Sequence, residues 1–165
     1  MQIETREQYE GYNYIVSIED MGYRCGYVQI PEGHYLYEKG YSEALESPSV
    51  DILMDAEIGR RGIVPIFCWD GETMTMDILF DVHGGITFSG ELPGETGYWI
   101  GFYCAHDGDA SAPWLATREY KSLPVWSAIS VWPAIGGIVR SEGYVMAECK
   151  SLINQIIEYY DQEEI

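Results

Sequence analysis

The sequence predicts an α+β fold: a mainly antiparallel sheet with a C-terminal amphipathic helix packed on it, in one domain over residues 1–165. Three observations carry this. Short apolar, β-rich runs recur through the first two thirds of the chain, turn-forming residues separate them, and the hydrophobic period changes to three and four only at the end. The length of 165 residues fits one domain, for which about 100 to 200 residues is usual. A hydrophobic fraction of 47% and 14 tyrosines exclude a disordered acidic chain.

Taken in order, alternating apolar residues at Tyr12 to Ile18 and Tyr23 to Ile30, joined by Glu19-Asp20-Met21-Gly22, predict an opening hairpin closed by Pro31-Glu32-Gly33. Gly40 to Arg61 is polar and turn-rich and predicts a long loop, with a short helix around Val50 to Ile58. Ile63 to Trp69 and Met74 to Phe80 flank Asp70-Gly71-Glu72-Thr73 and predict a second hairpin through its Asp-Gly dipeptide. After Gly84-Gly85, Ile86 to Ser89 and Tyr98 to Cys104 read as further strands. Ala110 to Gly137, interrupted by Pro113, Pro124 and Pro133, is expected to wrap the sheet as a loop. Val145, Cys149, Leu152, Ile156 and Tyr160, with Ile153 and Ile157, form the helical stripe, and Ser141 is its expected N-cap.

Twenty-seven Asp and Glu against 9 Lys and Arg give a net charge of −18. Such a chain gains nothing from phosphates and should be steered to basic protein surfaces or cations, so direct nucleic-acid binding is not expected. Between Glu43 and Asp109 the only basic residues are Arg60 and Arg61. No apolar run is long enough for a membrane span, and Met1 to Glu10 is polar where a secretion signal needs a basic and then an apolar stretch. The four cysteines, Cys25, Cys68, Cys104 and Cys149, are far apart and lack a CxxC pair, which predicts reduced core thiols and a cytoplasmic setting.

Two segments concentrate chemistry-bearing residues: Asp81-Val82-His83-Gly84-Gly85 and Cys104-Ala105-His106-Asp107-Gly108-Asp109. If each ends a strand, Asp81 pairs in direction with His83, and Cys104 with His106. Asp81, His83, His106 and Asp109 are then candidate ligands for a divalent metal such as zinc, with Asp107 a candidate catalytic base. The competing reading makes them turn residues, since Asp and His beside Gly are common there and the spacing matches no established zinc signature such as HExxH. His34 is the one remaining histidine. Ser89 lacks a GxSxG elbow, and Gly136-Gly137 lacks the Lys and Ser or Thr of a phosphate loop. Tyr35, Tyr37 and Tyr41 are candidates for a protein-binding surface or for half-buried packing.

RCGYV at Arg24 to Val28, the IPxGH turn at Ile30 to His34, DVHGGxTxSGE at Asp81 to Glu91, GFxCAHxGD at Gly101 to Asp109, and Tyr144 to Cys149 occur together in this order. In these the chain resembles a family of proteins from tailed phages and prophages of Gram-positive bacteria that has no assigned activity. The family commonly carries Asp where this chain has Tyr103, a departure that weighs against catalysis. Together with the charge, the resemblance implies a phage or prophage accessory protein in the bacterial host cytoplasm. It would occupy a basic, nucleic-acid-binding surface of a host defence protein, in the manner of anti-CRISPR or anti-restriction inhibitors. A metal-dependent hydrolase built on the Asp and His segments, or a virion assembly component, are the alternatives, so the sequence leaves open whether the protein is an enzyme.

Overall fold

The structure, a computed structural model, describes residues 1–49, 71–110 and 137–161. Its elements in chain order are strands β1 (Gln2–Tyr9), β2 (Tyr12–Ile18), β3 (Arg24–Ile30), β4 (Leu45–Glu46) and β5 (Thr73–Met74), the helical turn α1 (Met76–Leu79), strands β6 (Phe88–Gly90) and β7 (Tyr98–Tyr103), and helix α2 (Glu142–Tyr160). Five of the strands form one antiparallel sheet in the order β1-β2-β3-β7-β6, and β4 pairs with β5. The α+β class and the helix packed on an antiparallel sheet are as the sequence predicts.

β2, β3 and β7 lie inside the sheet and are apolar on both faces, which is why they read as nearly continuous β-branched and aromatic runs. On one face Tyr14, Val16, Val28, Ile30, Ile100 and Phe102 meet the apolar stripe of α2, of which Val145, Cys149, Leu152, Ile153 and Ile156 are fully buried. Burying a large aliphatic or aromatic side chain contributes about 1.5 to 3 kcal/mol, so this layer is the main stabilising contact of the fold. The opposite face carries a smaller cluster of Ile15, Cys25, Tyr27, Leu92 and Trp99. The β2–β3 hairpin forms at its expected turn, where the Gly22 N–H donates to the Glu19 carbonyl at 2.8 Å.

At the centre, Gly26 of β3 stands opposite Phe102 of β7, and its neighbour Tyr27 stands opposite Gly101. A Cβ on Gly26 would lie 2.5 Å from Phe102 Cζ and 2.7 Å from Cys149 Sγ, and a Cβ on Gly101 would lie 2.4 Å from Tyr27 Cδ1. Each glycine thus makes room for the ring across from it, one on each face of the sheet.

Ser141 caps α2 as expected, its Oγ accepting from the Tyr144 N–H at 3.1 Å. At the other end the Asp161 carboxylate accepts from the Tyr12 hydroxyl at 2.6 Å and from His34 at 3.0 Å. His34 Nδ1 accepts the Leu36 N–H at 3.0 Å, so the ring carries its proton on Nε2 and donates it to Asp161. His34 therefore fastens the helix end to the Pro31–Leu36 turn, far from the other two histidines.

Two expectations differ from what forms, and one strand was not foreseen. Gln2–Tyr9 is an exposed edge strand; its polar composition suits an edge, where charge on the outward positions discourages pairing with other chains. Met74 to Phe80 is not one strand. Thr73–Met74 is a two-residue strand and Met76–Leu79 a helical turn, because Met76, Leu79 and Phe80, at helical spacing, all have to reach the core. Asp81 to Gly85 then follows a helical turn, so Asp81 and His83 are not set by strand alternation. The expected helix at Val50 to Ile58, the strand at Ile63 to Trp69, Cys68, and nearly all of the Ala110 to Gly137 wrap lie outside the described residues.

Candidate functional site

His83, His106 and Asp109 come together at the end of the sheet where β7 finishes. Asp109 is the hub, with its side chain only 1% exposed. Its Oδ2 accepts from His83 Nε2 at 2.6 Å and from the His106 N–H at 3.0 Å, and its Oδ1 accepts from Arg140 Nε at 2.8 Å. Burial pushes the Asp109 carboxyl up, but the bonds from Arg140, His83 and the His106 amide outweigh it and hold the pKa below the usual carboxylate value. An ionised carboxylate only accepts, so His83 carries its proton on Nε2. In the neutral ring Nδ1 then takes the Tyr144 O–H, at 3.0 Å.

Helix α2 supplies the rest of the frame. Tyr144 and Glu148, one turn apart, face the 81–85 segment, and Glu148 Oε2 accepts the His83 N–H at 2.8 Å. Gln155, fully buried, receives the Asp81 N–H at 2.7 Å and donates to the Asp81 carbonyl at 2.9 Å. Asp81 is thus tied to the helix through its backbone. The Arg140 guanidinium lies 4.9 Å over the Tyr144 ring. Burial first, then the Glu148 charge, raises the Tyr144 phenol, which keeps it a proton donor.

His106 is held by packing. Its ring stacks on Tyr103 at 4.4 Å, lies 5.7 Å from the His83 ring, and buries Nε2 without a hydrogen-bond partner. That nitrogen rests on Gly84: a Cβ there would lie 1.9 Å from it, at a backbone φ of +71° that side chains rarely adopt. Gly84→Ala is expected to cost about 1 to 3 kcal/mol. Urea unfolding followed by tryptophan fluorescence would show a lower midpoint with an unchanged slope.

Of the sequence candidates, then, His83, His106 and Asp109 share one site, the Asp81 main chain is bonded to Gln155 of α2 and not to that cluster, and Asp107 is exposed on the turn beside it. Cys104 belongs to the core, at 2% exposure, and burial pushes its thiol up to about 12, which leaves it unreactive. Arg140, Tyr144, Glu148 and Gln155 were not foreseen. Gln155 left a trace in the sequence, as a polar residue within the apolar stripe of α2. Among the described residues no group of three or more His, Cys, Asp or Glu side chains is arranged to hold a metal. A cation would have to displace Asp109 or Tyr144 from His83 and lift His106 off Gly84. As it stands, the cluster joins the 81–85 and 104–109 turns to α2. Comparison with protein-family models, with curated proteins and with solved structures finds no match to the chain.

Proposed function

We propose that the protein is a non-enzymatic binding protein of phage or prophage origin, acting in the host cytoplasm. Its acidic body occupies a basic, nucleic-acid-binding surface on a host defence protein. The observation that carries this reading is the disposition of charge. Every described basic side chain is engaged within the chain: Arg6 with Glu95 at 2.5 Å, Arg24 with Glu4 at 2.6 Å, Lys39 with Glu43 at 3.2 Å, Arg140 with Asp109 at 2.8 Å, and Lys150 over the Tyr9 ring at 5.6 Å. Carboxylates such as Glu10, Glu32, Glu38, Asp77, Glu91 and Asp107 are exposed. The field that reaches a partner is therefore strongly negative, which favours fast, salt-sensitive association with Lys- and Arg-rich surfaces. No described helix is long and apolar enough to cross a membrane.

The test is binding to purified host nucleases at low and high ionic strength. We expect at least one partner whose affinity falls by about tenfold or more as salt screens the pair. Affinity indifferent to salt removes the reading. A metal-dependent hydrolase is the second reading, favoured by the convergence of His83, His106 and Asp109. Protein purified without a His-tag that carries no stoichiometric metal and keeps its stability in chelator would eliminate it.

A further inference from the structure

At the end of the sheet opposite the His83 cluster, the face not covered by α2 carries an open concavity of about 430 Å³ beside the β1–β2 turn. A second one, of about 370 Å³, adjoins it, and the two share Asn13, Gln29 and Thr96. We propose that this two-lobed groove binds a neutral saccharide chain.

The floor is a row of amides crossing three adjacent strands. Gln8 Nε2 donates to Asn13 Oδ1 at 3.4 Å, Asn13 Nδ2 to Gln29 Oε1 at 2.8 Å, and Gln29 Nε2 to the Thr96 carbonyl at 2.9 Å. Gly97 lets this row close, because a Cβ there would sit 2.5 Å from Gln29 Nε2. A primary amide has two N–H groups and an oxygen with two lone pairs, so Asn13 and Gln29 each keep a donor and an acceptor beyond the row. A side-by-side donor and acceptor match a sugar hydroxyl, which donates and accepts at once.

Charge works against anions. The chain carries a net charge of −18, and in the groove Arg6 is held by Glu95 at 2.5 Å while Glu32 is exposed at the second lobe. The overall field repels an anion. An extended peptide would need apolar seats for its side chains, yet the apolar residues of this face, Ile15 at 2% and Trp99 at 4% exposure, are buried. Tyr37, half-buried, lines the second lobe. The size of each lobe falls in the range of about 300 to 1,000 Å³ usual for small-ligand sites.

The test is a titration of the full chain with cellotriose, maltotriose and fully N-acetylated chitotriose, with a neutral Gly-Ser peptide alongside, followed by amide and indole NMR signals. At least one trisaccharide should give saturable shifts at the Asn13 and Gln29 side-chain amides and at the Trp99 indole. Gln29→Ala should weaken that binding by about tenfold, the loss of roughly one hydrogen bond, while Asp107→Ala leaves it unchanged. If Gln29→Ala fails to fold, Asn13→Ala, at an exposed position, takes its place. The proposal is overturned if no trisaccharide gives saturable shifts at millimolar concentration, if binding persists undiminished in the amide variants, or if only the peptide moves these signals.

Discussion

Asp109→Ala should lower the stability of the protein by about 3 to 5 kcal/mol, the cost of removing one partner from a buried, hydrogen-bonded charge pair. The substitution takes from His83, Arg140 and the His106 amide the acceptor they now share, in a site where the carboxylate is 1% exposed. Because the folded carboxyl titrates below its unfolded value, its contribution is complete above the unfolded pKa and is lost as pH falls through the lower folded one. Urea unfolding repeated from neutral pH into the acid range checks both points. Asp109→Ala should be weaker than the parent at neutral pH, and the difference should shrink on acidification. A gap that stays constant with pH would mean that Asp109 acts through packing and not through its charge.

Phe102→Ala is expected to cost about 3 to 5 kcal/mol, since it empties a fully buried ring site between the sheet and α2. Gly26→Ala should cost about 1 to 3 kcal/mol by overpacking, because the added methyl meets Phe102 and Cys149. The two changes should not add. With the ring gone, the methyl at position 26 enters vacated space, so the double variant should be more stable than the sum of the single losses implies. Denaturant midpoints of the four proteins measure this, and strict additivity would show that the ring and the glycine are not in contact.

The parts of the fold that could be read in advance are those whose side chains have one environment. β2, β3 and β7 are buried on both faces, so their composition alone marks them, and the period of α2 follows from a single apolar face meeting the sheet. Gln2–Tyr9 escaped because an edge strand has little to bury. The 74–80 stretch misled because Met74, Met76 and Phe80 alternate as a strand would, while Leu79 does not, and only the tertiary core decides between the two periods.

The site divides in the same way. That the His83 and His106 segments would meet was legible, since both end at glycines and both hold polar groups needing partners. Tyr144 and Glu148, 61 and 65 residues away from His83, could not be assigned, because their role depends on how α2 lies across the sheet.

The exchange of glycine and ring between β3 and β7 also bears on how the chain finds its pairing. Sliding one strand by a single residue in one direction would set Phe102 against Tyr27 and Gly26 against Tyr103, crowding two rings together, and in the other direction would set Gly26 against Gly101 and Phe102 against Cys25, leaving a gap where the two glycines meet. The correct alignment is thus distinguished from its nearest competitors by shape as well as by which residues face water, at the join between the N-terminal hairpin and a strand some 70 positions later in the chain. Proofreading of this long-range pairing is built into two adjacent rungs of the ladder, and a lineage that enlarged either glycine would have to shrink the ring across from it.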